Sequence, residues 1–318
     1  MGVKLIDRNM KTPSLISWNL TLERQLGKDW LFRAAYLGNK GTHLVYGDFM
    51  IPRNVNPAIY IPGQSSSGNI QERRIYKDFG RIDQDESTHN SNYNALQLTV
   101  EKRFARGLSV LSNYTWSKHL NDFGWTNPFN RHFDYGLSND DIAHYFKFSG
   151  IWELPKAKVA GIGRHILNGW ELTSSVNWRG GFPFSVFSGP DNSFSGSRNN
   201  TRADFLGGSA QLSSDRPHGE LIEEFFDTSK FVQNAFGTFG NSGKNILRGP
   251  KFFNTDLGLL RTIKVTEHTS IQFRAEFFNI FNNVNFGTPN SRANAGSFGR
   301  ITSAFDPRIL QFALKVTF

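Results

Sequence analysis

Residues 94–116 read NALQLTVEKRFARGLSVLSNYTW. In the first half of this stretch the even positions Leu96, Leu98 and Val100 are apolar, and the positions between them are polar. Side chains two residues apart lie on the same face of a strand, so the alternation predicts a β-strand with one apolar face. The second half repeats the pattern after a short basic turn in which Gly107 can supply an unusual φ angle. The stretch therefore predicts a β-hairpin.

The same alternation recurs along the chain and predicts nine strands of about ten residues, as four hairpins and one last strand. The other apolar runs are Ile16 to Leu22, Trp30 to Tyr36, Phe146 to Leu154, Trp170 to Trp178, Leu257 to Ile263, Ile271 to Phe277 and Leu310 to Phe318. Connections within the hairpins are short, apart from 155–168. Those between hairpins are long and comprise residues 38–90, 119–143, 180–250 and 282–307. All the long connections are therefore expected at one end of the sheet.

Strand length and aromatic position favour a membrane barrel over a soluble sandwich. A tilted strand that crosses a membrane needs ~9–11 residues, whereas soluble strands most often have ~5–6. Six tryptophans lie where aromatic girdles would meet the two membrane interfaces, namely Trp18, Trp30, Trp116, Trp152, Trp170 and Trp178. The opposite faces carry polar and charged side chains that suit a wet lumen better than a dry core, namely Gln97, Glu101, Glu171, Arg179, Gln272, Arg274 and Glu276.

The predicted fold class is thus all-β, a portion of an antiparallel transmembrane β-barrel with about nine long strands, short periplasmic turns and long extracellular loops. Outer-membrane barrels show this asymmetry of connections. Arg261 falls on an apolar position of its strand and is the worst misfit. We expect it near a membrane interface or displaced by a β-bulge.

Composition and motifs exclude several other functions. The 318 residues include 30 Phe and no Cys, so cysteine nucleophiles and thiolate metal sites are excluded. The net charge of +9 comes from basic residues spread over turns and loops, which favours contact with lipopolysaccharide and other phosphates over nucleic-acid binding. The eight histidines are scattered, and Asp134, Asp140 and Asp141 lack the spacing of a calcium loop. No catalytic residue, metal site or cofactor is therefore predicted.

The chain ends in a motif that resembles the signal read by the barrel-assembly machinery. This signal combines a polar residue, alternating apolar positions and a final aromatic residue. Here the residues are Gln311, Phe312, Val316 and Phe318. Ala313 stands where glycine is commonest in such signals, which is a mild departure.

Wider motifs resemble the C-terminal barrel half of TonB-dependent receptors of the Oar-like type. They include Ser91 to Gln97, Glu101 to Phe104, Tyr114 to Lys118, Phe148 to Pro155, Gly237 to Asn241, Leu247 to Pro250 and Phe273 to Asn282. Each motif is weak alone, but together they follow the family's order over nearly the whole chain.

The resemblance implies an outer-membrane barrel of ~22 strands with an N-terminal plug in its lumen, in a Gram-negative-type bacterium. We expect residues 1–318 to be the C-terminal part of such a receptor, without its plug or its carboxypeptidase-regulatory-like domain. Uptake of a large or scarce nutrient (a carbohydrate, a peptide or a chelate) would be driven by the TonB complex through the missing plug, with no catalysis. Outer-membrane lipid, lipopolysaccharide and the assembly machinery are the other expected partners.

Aromatic loop residues are candidates for ligand contact at the extracellular mouth, namely Trp125, Phe129, Phe182 and Phe184. Packing of the loops over the barrel rim is the alternative explanation for each of them. Two other functions also stay open at this point. One is a surface or adhesion barrel without transport, and the other is a soluble β-sandwich that binds a ligand.

Overall fold

The computed structural model of the protein describes residues 3–46, 52–196 and 201–318. Nine long strands, labelled β1 to β9 here, form one antiparallel sheet in which each strand pairs with the next along the chain. They span Ser14–Leu26, Trp30–Tyr46, Ile82–Ala105, Leu108–Asn121, His144–Glu153, Trp170–Arg179, Phe252–Lys264, Ser270–Phe278 and Ile309–Thr317. The predicted number and order of strands are confirmed.

Short elements occupy the connections. Three short strands extend the main sheet, with Val3–Ile6 and Arg53–Asn54 paired to β3 and Gly136–Leu137 paired to β4. Two small sheets pair Pro183–Phe184 with Leu247–Arg248, and Asp204–Phe205 with Phe231–Val232. The helices are α1 (Ile162–Leu167) and α2 (His218–Glu223), with single 3-10 turns at Gln71–Arg73, Arg131–Asp134 and Thr228–Lys230. No helix among the described residues has the length and apolar character needed to cross a membrane.

The hairpin between β3 and β4 closes as the sequence predicts. Ala105 pairs with Leu108, which leaves a two-residue turn. Both turn residues have positive φ, 54° at Arg106 and 75° at Gly107. Tight hairpins of the type I′ class require this at both positions, because that turn matches the twist of the flanking strands. The glycine was expected, whereas the positive φ of Arg106 is imposed by the turn.

The register keeps the predicted apolar positions on one face of the sheet. Leu96 pairs with both Tyr36 and Trp116, and Leu259 pairs with both Leu172 and Ala275. Directly paired residues in a ladder share a face, so the parity is continuous from β1 to β9. Exposed fractions on this face reach 63% at Leu20 and 68% at Leu314. The soluble β-sandwich interpretation is therefore wrong, because a second sheet would cover that face.

Two strands are longer than predicted. β2 has 17 residues and β3 has 24, so that both ends of the segment 38–90 expected to be loop, residues 38–46 and 82–90, are strand. The two strands pair beyond Gly41 with register shifts. The polar stretch around His89 shows no hydrophobic alternation, so the sequence pattern could not reveal pairing there.

The compact core lies in the loops. A cluster of buried apolar side chains comprises Phe184, Val186, Ala203, Ala210, Leu221, Phe225, Phe226, Phe231, Leu247 and Ile301. All of them belong to connections at the same end of the sheet. We call the connections 122–143, 180–196, 201–251 and 279–308 together the loop layer.

Candidate functional site

The six tryptophans expected in girdles form two rows on the apolar face. The row beside the short turns contains Trp30, Trp152 and Trp170, and the row toward the loop layer contains Trp18, Trp116 and Trp178. Trp18 lies against Gly38, where an added Cβ would fall 2.3 Å from the indole ring. The absence of a side chain at Gly38 is thus what lets this ring occupy the space above that residue. The girdle role itself stays a prediction.

Arg261 occupies a regular position in its strand. It pairs with Trp170 and Phe273 without any register shift, which excludes the β-bulge explanation. Its guanidinium lies 5.4 Å from the centre of the Trp170 ring and donates a 3.0 Å hydrogen bond to the Ile166 carbonyl oxygen. These contacts are beside the short turns, so the geometry supports the interface explanation.

The residues of the expected assembly signal lie on the last strand, at the edge of the sheet. Phe312 is 64% exposed and meets the Phe277 ring edge-on, with 6.3 Å between ring centres. Within the described part of the chain, Gln311 and Val316 pair only with residues of β8. Phe318 follows the strand and is 95% exposed. Recognition by the assembly machinery remains a prediction.

A buried ion pair joins two segments of the loop layer. Arg202 Nη1 lies 2.7 Å from Asp134 Oδ1, and their side chains are 3% and 5% exposed. Arg202 Nε also donates a 2.8 Å hydrogen bond to the Ser242 carbonyl oxygen, and its guanidinium covers the Phe133 ring at 3.9 Å. Removing one partner of such a pair leaves an uncompensated buried charge and typically lowers the free energy of unfolding by ~3–5 kcal/mol.

Lys244 adds a second, partly buried cation beside this pair. Its ammonium donates hydrogen bonds to Asn121 Oδ1 at 2.5 Å and to the Phe123 carbonyl oxygen at 3.0 Å. Burial is the main cause that lowers the pKa of Lys244 to about 8, and the nearby charge of Arg202 lowers it further while Asp134 opposes the shift. Lys244 thereby connects the end of β4 to the loop layer.

The three aspartates that lack the spacing of a calcium loop all have protein partners. Asp141 pairs with Arg248 and accepts a 2.5 Å hydrogen bond from the backbone N–H of His119. Asp140 Oδ1 lies 3.0 Å from Nδ1 of His119. Asp134 is the partner of Arg202. Among the described residues, no group of three His, Asp or Glu side chains is arranged to hold a metal ion.

A neighbouring carboxylate shows how the loop layer stabilises buried charge. Burial would raise the pKa of Asp122, but hydrogen bonding from His89 and Asn90 and the positive charge of Arg131 lower that pKa well below its usual value. Asp122 therefore stays ionised throughout the physiological pH range and holds the end of β4 against β3.

The four aromatic ligand candidates separate into two pairs. Trp125 is 7% exposed and lies between the guanidinium groups of Arg53 and Arg131, 4.9 and 5.1 Å from its ring centre. Phe184 belongs to the buried cluster of the loop layer. For these two side chains the geometry fits the loop-packing explanation.

The other two candidates are exposed. Phe129 is 58% exposed, and Phe182 is 37% exposed with the Arg179 guanidinium 4.3 Å from its ring centre. Arg179 is also the last residue of β6, so this ring lies where the sheet meets the loop layer. Phe129 and Phe182 remain candidates for ligand contact.

Sequence reasoning missed the core of the loop layer and its buried charges. One available signal was the concentration of phenylalanine between Phe182 and Phe239, in a segment with little alternation. Such a segment is typical of packed loops, because large apolar rings in an extended loop would remain exposed to water. The partners Arg202 and Asp134 are 68 residues apart, and no local pattern relates them.

Comparison with known families gives one match. The family model described as outer membrane beta barrel domain matches residues 1–311. None of the curated proteins compared with the chain matches it.

Several solved structures resemble the chain. The outer membrane transporter YddB from Escherichia coli is 9% identical with a TM-score of 0.47, and the match covers 99% of this chain and 34% of that one. The ferric-catecholate import receptor Fiu from E. coli K12 is 11% identical with a TM-score of 0.48, covering 98% and 28%. The ferric preacinetobactin receptor BauA from Acinetobacter baumannii is 11% identical with a TM-score of 0.44, covering 96% and 29%. The chain thus spans about a third or less of the length of these proteins.

Proposed function

The chain belongs to the outer membrane beta barrel domain family, and we propose that it forms the last nine strands of the barrel of a TonB-dependent receptor. The intact receptor takes up a large or scarce nutrient across the outer membrane, with energy delivered by the TonB complex through a plug that the rest of the protein supplies. Its role is binding and transport, without catalysis. The ordered series of motifs from Ser91 to Asn282 and the terminal strand support this proposal.

The observation that carries the proposal is the pair of open edges of the sheet. In the part of the chain that the structure describes, β1 pairs only with β2 and β9 only with β8. Unpaired backbone groups cost several kcal/mol each in lipid, so a membrane sheet requires further strands on both edges. Barrels of eight strands are filled by side chains, whereas those of ~22 strands hold a plug. Nine strands extended at both edges favour the wide class.

The face opposite the apolar one suits a wet lumen. Arg33 Nε lies 2.7 Å from Glu23 Oε2, and both side chains remain well exposed. Gln272 Nε2 donates to the Thr262 hydroxyl at 3.1 Å. Exposed pairs of this kind cost little where water reaches them, and they would be expensive against lipid tails. This polarity supports a water-filled lumen that a plug and a solute can enter.

Ligand contact is proposed at the loop-side mouth of this lumen. Phe129 and Phe182 offer ring faces, and Arg179 adds a cation beside the second ring. Rings flanked by polar and cationic groups suit carbohydrates, peptides or anionic chelates. We therefore propose a carbohydrate, a peptide or an anionic chelate as the nutrient.

Nutrient uptake in cells tests the function. A strain that carries the intact receptor is compared with one that lacks it and with one that lacks TonB, each supplied with labelled oligosaccharide, peptide or chelate as limiting nutrient. We expect uptake of one class to require both proteins. Uptake that persists without TonB would refute transport driven by the TonB complex, and uptake that is unchanged without the receptor would favour the surface-barrel alternative.

Paired variants test the mouth. Phe129→Ala combined with Phe182→Ala should weaken binding of that nutrient, whereas Phe281→Ala, which removes a loop ring that is 67% exposed, should not. Binding is measured on receptor purified in detergent. Equal affinities for the two variants would refute the assignment of the mouth residues.

A further inference from the structure

A row of aromatic contacts joins three connections at the loop end of the molecule. The Tyr60 ring, in the connection between β2 and β3, lies nearly parallel to the Phe194 ring with 6.3 Å between their centres. The centre of the Phe236 ring is 5.2 Å from that of Phe194. On the same turn, the Phe239 ring meets the Phe129 ring with 6.2 Å between centres. We call these five residues the aromatic track.

The rings of the aromatic track are accessible to solvent. Phe236 is 64% exposed and Phe129 is 58% exposed, and the other three side chains are half-buried. Phe133 also contacts Phe239, but the Arg202 guanidinium covers its ring, so that Phe133 is not part of the track. Contiguous exposed apolar surface on a folded protein marks a site of interaction. The aromatic track is therefore a candidate binding surface, separate from the buried cluster of the loop layer.

Hydrogen bonds fix the turn in the middle of the aromatic track. The Gly237 N–H donates to the Asn192 carbonyl oxygen at 2.7 Å, and the Asn192 side-chain amide donates to the Asn234 carbonyl oxygen at 2.8 Å. Gly237 has a φ of 81°, and a Cβ added there would collide with the Tyr60 ring. Both the turn and the close approach of the ring thus require glycine. A surface that is rigid before binding loses less entropy when a ligand arrives.

The segments that supply the aromatic track carry no charged residue. They are residues 54–71, 123–130, 192–196 and 231–243, and none contains Asp, Glu, Lys, Arg or His, although Asp, Glu, Lys and Arg make up 20% of the chain. Their exposed polar side chains are amides and hydroxyls, and include those of Gln64, Asn130, Gln233 and Thr238. Such groups both donate and accept hydrogen bonds. The surface is therefore suited to a neutral, polar ligand.

Charged side chains at the border of the aromatic track are bonded to the protein backbone. Arg73 is 8% exposed and donates to the Phe194 carbonyl oxygen at 3.0 Å. Asp191 Oδ2 accepts a 2.9 Å hydrogen bond from the Gly196 N–H. Both contacts stabilise the loop that carries Phe194, and a charged ligand would have to compete with them.

We propose that the aromatic track binds a neutral oligosaccharide. The apolar C–H faces of successive sugar rings pack on the aromatic rings, and the sugar hydroxyls exchange hydrogen bonds with the neighbouring amides and hydroxyls. An anionic chelate calls for cations, and a free peptide brings charged termini, whereas the segments of the track contain no charge that could pair with either. The inference rests on the proposed function, because it narrows the nutrient to one of the three classes.

Binding to the purified receptor tests the ligand class. The intact receptor in detergent is applied to an array of neutral and acidic oligosaccharides, and the affinity of the best neutral sugar is then measured by titration calorimetry. Hexaalanine and ferric citrate are titrated as the peptide and the chelate. We expect the neutral sugar to bind, and its affinity to rise from the monosaccharide to the tetrasaccharide because longer chains contact more aromatic rings.

Matched variants locate the sugar on the aromatic track. Phe236→Ala should weaken binding about fivefold, which is the usual size of a single aromatic contact, and Phe236→Tyr should retain it. Gly237→Ala should also weaken binding although no ring is lost, because the added Cβ displaces the Tyr60 ring. Phe281→Ala is the control, because it removes a loop ring that is 67% exposed and lies outside the track.

The outcomes separate this inference from the proposed function. Equal affinities of Phe236→Ala and Phe281→Ala for the sugar would overturn the inference. Binding of acidic sugars, hexaalanine or ferric citrate in place of a neutral sugar would also overturn it, and so would the absence of any binding on the array. TonB-dependent uptake of a chelate would then leave the proposed function standing. Conversely, a receptor that binds the neutral sugar without importing it would refute transport alone.

Discussion

Replacing Asp134 by Asn tests whether the buried ion pair holds the loop layer together. The substitution keeps the size of the side chain but removes the counter-charge of Arg202. The Arg202 side chain is only 3% exposed, so its guanidinium would remain buried without a partner of opposite charge. The typical cost is ~3–5 kcal/mol. Since 1.36 kcal/mol corresponds to a factor of ten, local opening of the loop layer should become about a hundred to several thousand times more frequent.

Hydrogen exchange on the purified barrel measures this opening. Backbone amides near Ala203 and Ser242 bond within the loop layer, and their exchange should accelerate by that factor while the strands β3 and β4 stay protected. The control is Glu223→Gln, which breaks a pair with Arg300 whose side chains are 61% and 47% exposed. Exposed pairs contribute ~0–1 kcal/mol, so exchange should change less than about fivefold.

The comparison can refute the reasoning. If Asp134→Asn accelerates exchange no more than Glu223→Gln, the buried pair does not stabilise the layer. A double variant, Asp134→Leu with Arg202→Met, should recover part of the protection, because apolar side chains often replace a buried pair without loss. An incomplete recovery is expected, since Arg202 also binds the Ser242 carbonyl oxygen.

Three further predictions concern the terminal strand, the interface and pH. Deletion of Phe318 should lower the yield of folded barrel in outer membranes, measured by heat-modifiable gel mobility. The control Phe305→Ala, which changes a loop residue, should not lower it. Equal yields for the two variants would contradict the assembly signal. Arg261→Leu should change unfolding free energy in bilayers by less than ~1 kcal/mol, and a gain of ~2–4 kcal/mol would place Arg261 near the midplane instead. Because folding lowers the pKa of Lys244 from 10.5 to about 8, the unfolded loop binds more protons between these values, and loop-layer stability should rise there by up to ~3 kcal/mol. In Lys244→Met this rise in stability should be absent. It is measured by hydrogen exchange of the loop layer, corrected for the intrinsic effect of pH on exchange. Identical pH profiles for the variant and the original protein would contradict the burial of a charged lysine.

The sheet could be predicted because its pattern is local and repeats. Leu96, Leu98 and Val100 lie on one face whatever the neighbouring strand is, and a hairpin turn at Gly107 brings the next run into antiparallel register. Strand ends were less predictable. Beyond Gly41 the pairs are Leu44 with His89 and Tyr46 with Glu86, so backbone pairing continues although β3 contributes only polar residues there.

The loop layer could not be predicted from the sequence pattern for a different reason. Its core depends on contacts between distant segments, such as Phe184 with Phe226 at 5.7 Å between ring centres. Arg202 and Asp134 carry charges that are common in solvated loops, and only tertiary packing reveals that they are buried. Of the four aromatic candidates for ligand contact, sequence could not separate exposed Phe129 from buried Trp125.

The two parts of the molecule are therefore stabilised by different surroundings. The apolar face of the sheet is exposed in the isolated chain and gains stability from lipid, whereas the loop layer buries Phe226 and its neighbours against protein. A substitution in the loop core, such as Phe226→Ala, removes packing worth ~3–5 kcal/mol without touching any lipid contact. It should loosen the loop layer while the strands still insert, since membrane strands depend on their ladders and their apolar face. If the variant instead abolished insertion, the two parts would fold as one cooperative unit.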